Sequence, residues 1–173
     1  MNRTLNLEQR ITRLEDIEAI KQLKLRYFYA CDARDVAGVR ACFTAKDLLI
    51  DAGFIGQYTK VEDFTDMFAS MTTSPTHLDQ HYGIAPEVKI TDDTHASGRW
   101  RILFQLLDSD KGVVQFMGGY YADKYLKENG EWKIQQTVYT VSTNLMMKKD
   151  SAGLLEAMEM GGMHAIATEL ENS

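Results

Sequence analysis

Cysteine is nearly missing from this chain. Cys31 and Cys42 are the only two among 173 residues. Both fall in segments of helical character, and no further cysteine completes a zinc set, so both read as small buried apolar residues. Long apolar runs are missing as well. No stretch approaches the roughly 18 residues a membrane span needs, and the opening MNRTLNLEQRITRLED lacks the apolar core of a signal peptide. The expectation is a cytoplasmic protein with no membrane partner. Nor is there a cationic excess: 19 lysines and arginines against 25 acidic residues leave a net charge of -6, which opposes nucleic-acid binding. No glycine-rich phosphate loop, nucleotide fingerprint or G-x-S-x-G elbow occurs. MGGY at 117–120 lies in a strand-like segment without the helix start that phosphate binding needs. No cofactor is expected.

What remains has the balance of an ordinary globular domain, 45% hydrophobic and 25% charged. Ile17, Ile20, Leu23, Tyr27, Phe28 and Cys31 recur at helical spacing, which predicts an amphipathic helix from about Leu14 to Cys31. Asp32 then sits in its last turn or just beyond, and Asp35 is a natural N-cap for a short helix, Val36 to Phe43. LLIDAGF (48–54) suits a strand. Thr59 and Glu62 match a capping box before a helix from Lys60 to Met71, and Pro75 marks a break.

Beyond Pro75, long β-segments at 77–91, 94–108, 113–128 and 131–145 are joined by the turns TDDT, SDKG and KENG. This order predicts an α+β fold with the N-terminal helices packed on one face of a curved sheet. Gly98, Gly118 and Gly119 fit bulges or bends in it. The main domain is expected over 1–145. The Met- and Ala-rich tail, 146–173, reads as two short helices placed to cover a pocket or a neighbouring subunit.

Two histidines, His77 and His81, stand four apart in HLDQH. On a helix that spacing faces one metal ion, but on a strand it leaves them on one face roughly 13 Å apart. The glutamate of H-E-x-x-H is also missing, so no metal site is expected. An imidazole on a strand is either a partly buried packing group or, with an acid in reach, a general base near neutral pH. Asp32 is the acid in position. A carboxylate at a helix C-terminus opposes the helix dipole, so something must compensate for it. Tyrosines, Tyr27, Tyr29, Tyr121 and Tyr139 among them, offer phenols able to polarise a carbonyl or hydroxyl.

LEDIEAIKQLKLRYFYACDARD (14–35), HYGIAPEVKITDDTHASGRW (81–100) and YYADKYLKENGEWKI (120–134) follow one another in this order. Together they resemble the SnoaL-like branch of the nuclear transport factor 2-like superfamily over about residues 14–145. The resemblance implies a cone-shaped α+β fold with a curved mixed sheet, and a lyase of the dehydratase and dehydrochlorinase kind that needs no cofactor. It also implies catalytic roles. His81 would take the substrate proton, Asp32 would orient it, and Tyr27, one helical turn earlier, would assist. Where the family's steroid-converting members carry an acid and an arginine, this chain has Phe104 and Val141. That difference implies a more apolar pocket for an aromatic or polycyclic alcohol, with Trp100, Ile102, Phe104, Tyr29 and Tyr121 in its lining. The reaction is expected to be dehydration, another β-elimination or retro-aldol cleavage. Two alternatives stay open: an isomerase or polyketide cyclase with Asp32 as base, and a binding module without catalysis. The family also implies a homo-oligomer, trimer or dimer.

Overall fold

The computed structural model describes residues 5–162. Helix α1 (Leu7–Asp32) begins about two turns earlier than the apolar spacing predicts, because Asn6 and Gln9 form a capping box. Its first turns carry Leu7, Ile11 and Leu14 at helical spacing, a stripe that is exposed and packs on no core. The helix ends in a Schellman motif, in which Asp35 N–H donates to Ala30 O and Arg34 N–H to Cys31 O. Arg34 takes the left-handed conformation (φ 59°) that this stop requires. Asp35 then caps α2 (Val36–Ala41) by accepting from Gly38 N–H.

A short strand β1 (Leu49–Asp51) gives way at Gly53 to a 3-10 turn, Gly53–Ile55, and returns as β2 (Gln57–Tyr58). The strand expected over 48–54 is therefore only three residues long; Gly53, at φ 62°, bends it away. Helix α3 (Val61–Met71) follows without the expected Thr59/Glu62 capping box. Lys60 is its N-cap with no side-chain hydrogen bond, and Glu62 pairs instead with Arg40 at 3.0 Å.

Strands β3 (His77–Ile90), β4 (His95–Asp108), β5 (Val113–Glu128) and β6 (Glu131–Lys149) form the predicted antiparallel meander. The described residues build a seven-stranded mixed sheet, six strands in the order β2-β1-β6-β5-β4-β3 with β1 parallel to β6, and the seventh, Leu155–Gly162, paired with β6 off this path. β3 lies at the edge, where Pro86 is tolerated at a bulge between Ile84 and Glu87. A second bulge falls at Gly118/Gly119 as expected. Gly98 keeps regular pairing on both sides; a Cβ there would crowd the Tyr125 ring. The tail is corrected more substantially. β6 runs on to Lys149, and Leu155–Gly162 is a strand, β7, antiparallel to β6, where helix was expected. The rest of the tail lies outside the described residues.

Helix α1 crosses the sheet and is fastened to it by polar groups as well as by its apolar face of Ile20, Leu23, Phe28 and Cys31. Asp16 accepts from Trp132 Nε1 (2.8 Å) and Lys127 Nζ (2.7 Å) at one end of the β5–β6 hairpin. Eight residues on, Lys24, fully buried, pairs with Asp123 on β5 at 2.8 Å. Asp123 also accepts from Tyr125 (2.7 Å) and Thr137 (2.7 Å), and Tyr125 Oη accepts from Trp100 Nε1 (3.0 Å). The Lys24 ammonium lies 3.8 Å from the Tyr121 ring centroid. Burial pulls the Lys24 amine below its usual lysine value, and Asp123 opposes that shift. Removing one partner of such a pair leaves an uncompensated buried charge, whereas removing both does not. In urea denaturation, Asp123→Ala is expected to lose about 3–5 kcal/mol, and the double replacement Lys24→Met with Asp123→Leu to lose clearly less. Equal losses would mean the pair does not anchor the helix.

Candidate active site

The concave side of the sheet, α1, α3 and the Asp51–Ile55 segment enclose a cavity of about 180 Å³. Three sheet positions two apart, His77, Asp79 and His81, face it from β3, and Ile102, Phe104 and Leu106 face it from β4. Gln115, Met117 and Tyr121 on β5 and Thr137 and Tyr139 on β6 complete the sheet wall. Tyr27 and Cys31 close it from α1, and Phe64, Met67, Phe68 and Met71 from α3.

Asp32 and His81 are brought together. Asp32 Oδ1 lies 2.6 Å from His81 Nδ1, and both carboxylate oxygens also accept from the His81 backbone N–H, at 3.1 and 3.3 Å. These donors are the compensation that a carboxylate in the last turn of a helix needs. A carboxylate only accepts, so Nδ1 carries the proton and the neutral ring presents the Nε2 lone pair. The ring is held from both sides. Phe28 stacks on it at 5.8 Å with planes 12° apart, and Phe104 meets it edge-on at 5.0 Å. Gly83 makes the first contact possible, since a Cβ there would run into the Phe28 ring.

Tyr27 lines the cavity with its phenol buried; that burial, with Cys31 and Tyr121 beside it, lifts its pKa well above the ordinary value. Tyr121 is shifted upward for the same first reason. Ile102, Phe104 and Tyr121 line the cavity as the sequence predicts. Two expected lining residues do not. Trp100 shares the inward face of β4 but lies at the closed end, 2% exposed, its indole N–H spent on Tyr125. Tyr29 is 70% exposed on the outer side of α1, in an open groove between that helix, α2 and the β5–β6 turn. It is one residue out of phase with the buried stripe. Val141, the second departure from the steroid-converting pattern, is buried opposite Gly119.

Several lining residues escaped the sequence reading although their signals are present. His77 and Asp79 follow from strand alternation once His81 is placed on the inward face. Phe64, Met67, Phe68 and Met71 form a stripe at i, i+3, i+4 and i+7 along α3. The Lys24–Asp123 pair left no such trace, because each residue reads as one more surface charge.

A curved mixed sheet with helices packed on its concave side is the fold of the nuclear transport factor 2-like class. The chain belongs to the SnoaL-like domain family, which matches residues 12–138. Solved structures agree on the fold. A candidate scytalone dehydratase from Novosphingobium aromaticivorans superposes with a TM-score of 0.71 at 18% identity, over 77% of this chain and 88% of that one. The LinA-type3 hexachlorocyclohexane dehydrochlorinase of Novosphingobium barchaimii gives 0.67 at 16% identity, over 88% and 97%. ActVI-ORFA of Streptomyces coelicolor gives 0.61 at 15% identity, over 72% and 96%. Among the described residues, no helix is long and apolar enough to cross a membrane.

The tautomer inferred for His81 can be tested directly. In ¹⁵N NMR of the imidazole, the neutral wild-type ring should be predominantly Nδ1–H, and Asp32→Asn should shift it to a mixture of the two tautomers. Identical spectra would show that Asp32 does not set the tautomer.

Proposed function

We propose that this chain is a lyase that removes a proton from a small, largely apolar alcohol or related compound by the His81/Asp32 pair, needing no cofactor for that step. The observation that carries this reading is the 2.6 Å contact between His81 Nδ1 and Asp32, at the wall of an apolar cavity. Nε2 takes the proton from carbon, and the C–H electron pair becomes the new C=C bond. The leaving group on the neighbouring carbon departs with its own bonding pair. Asp32 stabilises the imidazolium, which then gives its proton to the departing hydroxide or to water at the mouth. Tyr27, protonated at neutral pH, donates a hydrogen bond to the oxygen on which charge develops. The same base acting on a hydroxyl would start retro-aldol C–C cleavage.

The cavity volume favours a substrate built on one ring, since an apolar cavity of about 150 Å³ is known to take up benzene. Dehydratase and dehydrochlorinase names among the fold neighbours are in keeping with elimination. An isomerase or cyclase with Asp32 as base is less well supported. Both Asp32 oxygens are engaged by His81, and the carboxylate stands behind the imidazole. A role in binding alone leaves that arrangement without a use.

A self-associating state is also proposed. On the sheet face opposite the cavity, Leu78, Tyr82, Ile84, Leu103 and Leu107 are exposed, with Leu78 opposite Leu107 and Tyr82 opposite Leu103 in the β3–β4 ladder. A contiguous apolar patch of this kind marks an interface, and a second copy of the chain would cover it. By analytical ultracentrifugation the wild type should sediment as a dimer or trimer and Leu103→Glu as a monomer; a monomeric wild type would end this idea.

His81→Ala should lower kcat by about 10²–10⁴-fold while circular dichroism and Tm stay near wild type. Turnover that survives the replacement would remove His81 from the mechanism. If Asp32→Asn costs far more than His81→Ala, the aspartate-base alternative takes its place.

A further inference from the structure

The hydroxyl of Tyr139 is both buried and without a hydrogen-bond partner among the described residues. Tyr139 lies on β6, lines the cavity and stacks on Tyr121 with centroids 4.9 Å apart and planes 25° apart. A buried hydroxyl without a partner is costly, and it is retained where something else completes it. Burial raises the Tyr139 phenol to about 12, so it carries its proton at neutral pH and is available as a donor.

The position of Tyr139 says what it would meet. His81 and Tyr139 both line the cavity, His81 from β3 and Tyr139 from β6, and the rings between them run from His81 to Phe28, behind the wall, then to Tyr121 and Tyr139, three ring contacts in all. No lysine or arginine is among the described residues lining the cavity, whereas Asp51 and Asp79 are. An anionic substrate finds two carboxylates there and no permanently charged cation.

We infer that Tyr139 is a specificity-determining residue: its hydroxyl donates to an acceptor oxygen, such as a carbonyl, of a neutral one-ring substrate, at the end remote from the carbon His81 deprotonates. This inference rests on the proposed reading of the cavity as the substrate site. It does not require the lyase chemistry.

The test uses two compounds of nearly one shape. Acetophenone carries a carbonyl that only accepts hydrogen bonds, and α-methylstyrene replaces that oxygen with CH₂. The neutral His81 ring offers the cavity a lone pair and no donor, and the His81→Ala variant removes the donor that its charged form would add. Dissociation constants are measured by NMR titration of wild type, Tyr139→Phe, Tyr27→Phe and His81→Ala. Tyr139→Phe is expected to weaken acetophenone about five- to tenfold and to leave α-methylstyrene unchanged; His81→Ala should keep the preference for acetophenone. An unchanged acetophenone affinity in Tyr139→Phe, an equal loss for both probes, or a larger selective loss in Tyr27→Phe would each overturn the assignment. Failure of wild type to bind either probe would overturn it together with the reading of the cavity. A preference lost only in Tyr139→Phe, in a protein that eliminates from no alcohol tried, would support Tyr139 and sink the lyase reading alone.

Discussion

A lysine and an aspartate buried against each other set the position of everything that matters at this site. Lys24 has no exposed surface, and an ammonium in that environment is tolerated only with an anion in contact. Asp123 supplies it and is itself held by Thr137 and Tyr125. The pair therefore fixes how far α1 has slid and how it is turned on the sheet. A slip of one residue would rotate the helix by about 100° and take Lys24 away from its counter-charge. Asp16, eight residues before Lys24, and Asp32, eight after, are placed by the same docking, one against the β5–β6 hairpin and one against β3. The Asp32–His81 contact is thus the far end of a helix whose register is decided in the middle.

That far end works against its own helix. The carbonyls of the last turn put negative potential where Asp32 adds a full negative charge, and α1 has no basic residue in that turn to offset it. Relief comes from β3, through the backbone N–H and imidazole of His81. The dependence runs both ways: the carboxylate needs these donors, and in the neutral imidazole the carboxylate selects the Nδ1–H tautomer that leaves Nε2 without a proton. Strand and helix come close enough for this only because position 83 is glycine and Phe28 fills the space left beside it.

Much of this was legible before any coordinates. The 3.6-residue spacing through Tyr27 and Cys31, the strand lengths after Pro75 and the order of the elements carried the fold; a helix end and a strand made Asp32 and His81 candidates, and the family resemblance paired them. What escaped the reading did so for identifiable physical reasons. Lys24 and Asp123 look like surface charges because their partners are 99 residues apart in the chain. Trp100 alternates correctly with Ile102 and Phe104, yet a cone narrows, and alternation does not report depth. Leu155–Gly162, with its alanine, methionines and glycines, has weak preferences of its own, and the open edge of β6 makes it a strand. Pairing partners override propensity in such segments.

The polar chemistry of the cavity is asymmetric, and burial makes it so. Tyr27, Tyr121 and Tyr139 are all pushed toward the neutral phenol, so each is a donor at neutral pH and none is a base. His81 is the opposite: with Nδ1 committed to Asp32, its neutral ring has a lone pair for the cavity and no proton to give. Phenol donors line the α1 and β5–β6 walls, and the imidazole Nε2 lone pair stands on β3. A molecule with an acidic hydrogen at one place and an electron-rich oxygen at another has one orientation in which both are met. Much of the remaining wall is Phe, Met, Ile and Leu, which contribute affinity without direction, while Asp51, His77, Asp79 and Gln115 add polar atoms to it. The direction comes from two or three polar atoms whose protonation is fixed by how little water reaches them.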